Sequence, residues 1–388
     1  MLDPLATARG TDTTIVHIAI DAHSVGANLG GNETYATNLI EALAEIDPAN
    51  QYTIYVTKQS AIERFANRWP NFKVKQTLPH TPLVRIPITL SAELRKNPVD
   101  VLHVQYTAPP LAPCPVVATI HDLSFEHLPE TFNRRSRAQL RLTVRHTARR
   151  AARILTLSEF SRRDISETYE IDLDRIAVTP AAASPHFAPV TSEAELEGVR
   201  QKYGIQRDYI LSLSSIQPRK NLVRLIEAYS YLYEHEGSEL PRLVIAGKKG
   251  WLESDVFRVA RQSAAANDIV FTGYVSEAEL PALYSGALCF VYPSYFEGFG
   301  LPVVEAMQCG TPVIVGNRTS LPEVVGDAGI LIDPFNHKDI ANAIAHLISN
   351  PAARHDLRQL GIERAKAFNW LDTARQTLQM YEQVVRKG

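Results

Sequence analysis

The chain has 388 residues, 45% of them apolar and 21% charged, and a formal net charge of −2. That length exceeds what one hydrophobic core supports, so two domains are expected, and a near-neutral chain lacks the global positive field that holds nucleic acid. Its three cysteines, Cys114, Cys289 and Cys309, are far apart and odd in number, which excludes a disulfide framework or a paired-cysteine zinc site and fits a cytoplasmic setting.

Residues 1–14 are small and polar, with no basic start followed by an apolar run, and are expected to form a disordered arm. No segment reaches the roughly 18 unbroken apolar residues of a membrane-spanning helix. Short apolar runs then alternate with helix-period segments, the pattern of parallel strands joined by crossover helices, which makes the chain α/β. After a strand at 15–20 comes D-A-H-S-V-G-A-N-L-G-G-N-E-T-Y, where Gly30 and Gly31 precede an amphipathic helix over 33–46 with Tyr35, Leu39, Leu43 and Ile46 on one face. A glycine pair lets backbone approach an anion, and the helix N-terminus adds unpaired N–H groups and about half a positive charge, the makings of a phosphate seat. A strand-to-helix turn without a ligand reads the same way, because the full dinucleotide fingerprint is absent.

Further strands are expected at 52–56, 99–104, 116–120 and 153–157. His121 and Asp122 follow the 116–120 strand, at a carboxyl end; a histidine capped by its acidic neighbour is the purely structural alternative. Between Glu130 and Glu159 there is no acid, yet Arg134, Arg135, Arg137, Arg141, Arg145, Arg149, Arg150 and Arg153 recur along a helical stripe. Such a stripe suits anionic lipid headgroups or the diphosphate of a lipid-linked acceptor, or else simply faces solvent. Asp172-Leu173-Asp174 has the spacing of a metal-binding pair, but its helix-to-strand turn lies away from strand carboxyl ends, so a solvated turn is expected. From 179 to 193 three prolines and no sustained apolar period mark an interdomain linker.

A second α/β series follows, with strands at 209–213, 242–246, 269–271, 288–292 and 312–315. Two Rossmann-like domains, 15–185 and 193–368, are therefore expected to face each other across a cleft, with a last helix in 369–388 packing back on the first. In I-Q-P-R-K-N-L, Arg219 and Lys220 fall at the start of the helix running to about Tyr233. The macrodipole disfavours cations there, and a bound diphosphate would offset that cost. A solvated basic turn is the alternative. In Y-P-S-Y-F-E-G-F-G-L-P-V-V-E-A-M, Glu297 and Glu305 are separated by seven residues, Gly298 and Gly300 form a backbone nest, and a helix begins near Leu301. Two carboxylates so placed can each accept paired hydrogen bonds from vicinal hydroxyls of one ligand, as on a sugar ring and a ribose.

These segments, together with T-I-H-D-L and S-E-F-S-R, resemble the retaining glycosyltransferases of family four, and the likeness covers nearly the whole chain after residue 14. The resemblance implies the GT-B fold and a nucleotide diphosphate sugar as donor, with no cofactor and no metal. It implies that Glu297 contacts the donor sugar, that Glu305 binds the ribose hydroxyls, and that the amides of Gly298, Phe299 and Gly300 meet the sugar. It places Leu301 near the nucleoside, Val275 of T-G-Y-V beside the base, and His121 beside the anomeric region. Five residues before Lys220, where many relatives have arginine, this chain has Ser215. The T-I-H-D-L and P-R-K-N forms are similar to those of bacterial polysaccharide mannosyltransferases, which makes GDP-mannose the first donor to consider and a glycan or lipid-linked molecule the acceptor.

In that scheme the bond breaks through an oxocarbenium-like state while Arg219, Lys220 and two helix N-termini face the charge growing on the diphosphate. Retention in the family is usually explained by front-face attack, with the leaving phosphate taking the acceptor's proton. The other readings are a nucleotide-sugar epimerase or phosphorylase, which can adopt similar paired domains, and a non-catalytic sugar-nucleotide binding subunit.

Overall fold

The computed structural model describes residues 15–27, 30–237, 239–248 and 254–386; the expected arm, 1–14, lies outside them. The first half builds a seven-stranded parallel sheet in the order β3-β2-β1-β4-β5-β6-β7. Its strands are β1 (His17–Asp21), β2 (Gln51–Val56), β3 (Phe72–Gln76), β4 (Val101–Gln105), β5 (Val116–Thr119), β6 (Arg153–Thr156) and β7 (Ile176–Val178). The second half builds a six-stranded parallel sheet in the order β10-β9-β8-β11-β12-β13. It is formed by β8 (Tyr209–Leu213), β9 (Arg242–Ala246), β10 (Ile269–Gly273), β11 (Cys289–Tyr292), β12 (Val313–Gly316) and β13 (Gly329–Ile332).

Both orders reverse direction once, between β1 and β4 and between β8 and β11, which is the doubly wound arrangement with a crevice at the reversal. The central strands are buried along their whole length, as parallel strands covered by helices on both faces must be. Six helices bear on the site: α1 (Gly31–Ile46), α2 (Arg134–Arg150), α3 (Glu159–Tyr169), α4 (Leu222–Glu236), α5 (Leu301–Gln308) and α6 (Trp370–Val385). On α1 the apolar face sinks Tyr35, Leu39 and Leu43 into the core while Ile46 stays half-buried, each fully buried side chain contributing roughly 1.5–3 kcal/mol.

The stretch 179–192 has no regular element, yet Ala181, Ala182 and Ala183 are buried, Ser184 Oγ donates to Asn38 Oδ1 at 3.0 Å, and Pro180 O accepts from Thr373 Oγ1. The connection is therefore packed into place by α1 and α6. Helix α6 crosses back to the first sheet, lying along α1 and joining Tyr381 Oη to His103 Nδ1 of β4 at 2.5 Å.

The arginine stripe is shorter than its sequence pattern. Asn133 caps α2 by accepting from the amides of Arg135 and Ser136, and the helix ends at Arg150, so Arg153 opens β6 instead. Acids from outside the stretch fold back on it: Arg141 Nε donates to Glu126 at 2.6 Å, and Arg149 lies 3.8 Å from Glu170. Asp172 and Asp174 are exposed, the first at the N-cap position of a single 3-10 turn and the second within it, and among the described residues no group of three or more His, Cys, Asp or Glu is placed to hold a metal ion.

Candidate active site

The loop between β11 and α5 carries the first glutamate. Glu297 is 6% exposed, and both its oxygens are occupied: Oε2 accepts from Arg219 at 2.8 Å, and Oε1 accepts from Lys220 Nζ and Ser294 Oγ, each at 2.6 Å. Burial pushes its carboxyl up, yet the two cations outweigh that and hold it at about 2. Lys220 is brought down to about 8 by burial and by Arg219 beside it, with Glu297 opposing. At neutral pH the cluster is thus two cations on one carboxylate.

Arg219 and Lys220 do not begin a helix, as their sequence position suggested. They occupy a 3-10 turn, Pro218–Lys220, and α4 starts at Leu222 after Asn221 takes the left-handed conformation at φ 60°. Asparagine tolerates that conformation, and here its Nδ2 also donates to Pro293 O at 3.1 Å and Pro334 O at 2.6 Å, tying the cationic turn to two neighbouring loops. The cations thereby meet Glu297.

Glu305 lies on the second turn of α5, 8% exposed, its Oε2 accepting from Tyr284 Oη at 3.0 Å. Burial raises its carboxyl to about 7, against the Tyr284 hydrogen bond and with a small contribution from Glu277. Gly300, at φ 108°, leads into Leu301, the first residue of α5; a Cβ there would meet Leu321 Cδ2 at 2.8 Å. Phe299 is buried and edge-on to Phe368, and Val275 is buried just after β10.

The first half meets this loop closely. A Cβ on Gly298 would stand 2.0 Å from the main-chain oxygen of His121, so only glycine allows the approach. Ser158 Oγ donates to Gly298 O at 2.8 Å while also capping α3 through the amide of Ser161. Ser161 Oγ lies 3.2 Å from His121 O and 3.3 Å from Gly298 O. Glu323 completes the seam, accepting from the amides of Glu159 and Phe160 at 2.9 and 3.2 Å at the positive end of α3. His121 is buried, drawn down to about 4 by burial with Asp122 opposing, and therefore neutral. Gly30, at φ 58°, and Gly31 open α1 on the exposed side.

Glu297, Arg219 and Lys220 thus form one cluster, and His121 abuts the loop that carries it. Glu305 and Leu301 lie on α5, into which that loop leads, and Val275 follows β10. Comparison with known proteins identifies the family. Residues 197–364 match the model of glycosyl transferases group 1, and residues 29–185 that of glycosyltransferase family 4. O-antigen chain mannosyltransferase B of Escherichia coli is 36% identical over 267 residues, 69% of this chain and 70% of that one. The chain belongs to the family-four glycosyltransferases.

The serotype-specific mannosyltransferase WbdA of Escherichia coli is 30% identical over 241 residues, 62% of this chain but only 30% of that longer protein. Among solved structures, sucrose-phosphate synthase from Thermosynechococcus elongatus superposes with a TM-score of 0.76 at 20% identity, covering 96% of this chain and 100% of that one. WaaG, a glycosyltransferase involved in lipopolysaccharide biosynthesis, superposes at 0.68 and 18% identity, covering 95% and 99%. These two share the GT-B fold. In this glycosyltransferase the sequence motifs did not single out Tyr284 and Gln105, which hold Glu305 and His121 from other elements, Glu323, which ties the two halves together, or Ser294, which holds Glu297 from within its own loop. Only Ser294, three residues before Glu297, carried a local signal.

Proposed function

We propose that this glycosyltransferase moves mannose from GDP-mannose to a glycan or lipid-linked acceptor in polysaccharide assembly, retaining the anomeric configuration and using no metal. The observation that carries this reading is the Glu297 carboxylate held between Arg219 and Lys220, on a loop pressed against His121. The similarity to O-antigen mannosyltransferases supports the choice of sugar.

In this reading Arg219, Lys220 and the amides at Gly30 and Gly31 hold the diphosphate, and Glu297 with the amides of Gly298, Phe299 and Gly300 meets the sugar. Glu305 accepts from the ribose hydroxyls, Leu301 and Val275 border the nucleoside, and His121 lies beside the anomeric carbon. The acceptor oxygen bonds to that carbon as its bond to the phosphate oxygen breaks, and the acceptor's proton passes to the departing phosphate. Two fixed cations stabilise the charge that grows there, a role a divalent ion would otherwise fill. Incubation with a panel of nucleotide sugars tests this: GDP release from GDP-mannose at equal rates with and without chelator is expected, and a requirement for a divalent ion contradicts it. The product's anomeric configuration, read by NMR, tests retention.

The pH profile is a second test. A carboxylate accepts from both ribose hydroxyls, so kcat/KM rises as Glu305 ionises through about 7, and it falls as Lys220 loses its proton through about 8. A narrow bell between those values is expected; Glu305→Gln removes the acid limb, and Lys220→Arg the alkaline one.

We further propose that α2 rests on an anionic membrane at its cytoplasmic face. Leu142 is 74% and Leu111 69% exposed, and Leu142 shares a groove with Arg145, His146, Arg149 and Arg150. Among the described residues no helix is long and apolar enough to cross a membrane, so this contact would be peripheral. Sedimentation with anionic but not neutral vesicles is expected, weakened several-fold by Arg145→Glu with Arg150→Glu, and equal binding to both vesicles removes the idea.

A further inference from the structure

The only hydrogen bond from the His121 ring among the described residues joins Nε2 to Gln105 Oε1 at 2.8 Å. Gln105 is the last residue of β4, beside β5, and is 7% exposed. An amide can face either way and a neutral imidazole can carry its proton on either nitrogen, so the pair alone is ambiguous. The next partner resolves both choices. Gln105 Nε2 lies 3.2 Å from Ser24 Oγ, and the Ser24 hydroxyl donates to the main-chain oxygen of Asn32 at 3.2 Å.

With its hydrogen committed to Asn32, Ser24 Oγ can only accept, so the Gln105 amino group faces it and the Gln105 carbonyl faces His121. A carbonyl accepts, so His121 carries its proton on Nε2 and leaves Nδ1 a bare acceptor. Nδ1 is not among the sealed, unpartnered polar atoms, and the residue keeps 7% of its surface open. Edge contacts from the rings of Tyr35 at 4.8 Å and Tyr106 at 5.5 Å hold the imidazole in that orientation.

We propose that Gln105 is a positioning residue: through the relay Asn32–Ser24–Gln105 it locks His121 as the Nε2-protonated tautomer, presenting Nδ1 to accept from a hydroxyl of the bound sugar. The sugar half of this statement rests on the donor-site reading above; the tautomer half does not. A bare Nδ1 lone pair attracts a hydroxyl and repels a phosphate oxygen, so His121 discriminates between the two ends of the donor. Because Asn32 is the second residue of α1, the same relay ties the histidine to the start of the glycine-led helix.

The full-length protein with 15N-labelled histidine tests this by multiple-bond 1H–15N spectra, with His121→Asn assigning the signal. Ligand-free wild type is expected to show a protonated Nε2 and a bare Nδ1 between pH 6 and 8, and a nucleotide sugar is expected to shift the Nδ1 resonance. Gln105→Leu is expected to give mixed tautomers and a kcat lowered about 10-fold, the worth of one lost hydrogen bond, with a much smaller change in donor KM. Ser24→Ala, a gentler change that only frees the amide to turn, is expected to give a partial mixture.

Gln105→Glu places a carboxylate against Nε2 and favours the imidazolium, so in the same spectra His121 is expected to take up its Nδ1 proton at higher pH than in wild type. The other titratable groups around the ring are Asp122 on its own loop, His103 on β4, Tyr35 on α1 and Tyr106 after β4, all unchanged in that variant. A proton on Nδ1 in wild type, or an unchanged tautomer or unchanged kcat in Gln105→Leu, overturns the positioning role. The expected tautomer without any response to nucleotide sugars overturns the presentation to sugar and leaves the relay standing.

Discussion

Replacing Glu297 by Gln is expected to lower kcat roughly 100-fold, about 2.7 kcal/mol, while nucleoside diphosphate binds more tightly than to wild type. The carboxylate occupies both cations that would hold the diphosphate in the proposed donor site, at 2.8 and 2.6 Å. Without a ligand the pairing satisfies one buried and one half-buried cation; in the proposed reaction the donor phosphates must compete for them. Gln keeps the shape and loses the charge, so Arg219 and Lys220 become free to grip phosphate in the ground state. The negative charge that faces a developing oxocarbenium ion is lost at the same time. A mutation that lowers kcat and KM together has that signature.

The same change carries a stability consequence. Removing one partner of a buried ion pair costs about 3–5 kcal/mol because the remaining charge is left uncompensated, so the ligand-free variant melts earlier. Nucleoside diphosphate, which supplies the missing negative charge, is expected to raise the variant's Tm by more than it raises that of wild type. Calorimetry with and without ligand, beside steady-state kinetics, reads both effects. A variant with wild-type kcat would remove Glu297 from the chemistry.

Gly298→Ala is expected to reduce kcat/KM by roughly 100-fold, through displacement of the site. The added methyl would stand 2.0 Å from His121 O and 2.8 Å from both His121 C and Asp122 Cβ. The oxygen and carbonyl carbon are backbone at the end of a buried strand, so the loop must give way, at about 1–3 kcal/mol. Its movement breaks the bonds from Ser158 and Ser161 to Gly298 O and carries Glu297 away from His121. The cores of the two halves are untouched, so Tm should change by a few degrees at most, while small-angle scattering should show a larger radius of gyration. Normal turnover in this variant would mean that the seam opens during catalysis and contributes nothing to it.

Much of the fold was legible because a parallel strand buried on both faces is written as an unbroken apolar run. Strands 209–213 and 242–246 coincide with β8 and β9, and most others differ by one or two residues at an end. Three strands were not anticipated. β3, with its F-K-V-K-Q, sits at a sheet edge and alternates charged with apolar residues; β7 is three residues long, and β13 is half-exposed. β3 lacks an apolar run, and those of β7 and β13, I-A-V and G-I-L-I, are shorter than that of a typical central strand.

The amino-acid sequence by itself determined the candidate groups: the motifs of Glu297, Glu305, His121 and the Arg219-Lys220 turn are contiguous, and each follows a strand whose pattern is local. Only the tertiary structure decided which groups face one another. Glu297 meets cations 77 and 78 residues away, Tyr284 reaches Glu305 from another helix, and Gln105 reaches His121 across adjacent strands. The physical reason is that periodicity records how a segment buries its own face, whereas a long-range hydrogen bond depends on sheet order, register and the approach of two halves. No repeat along the chain encodes those quantities.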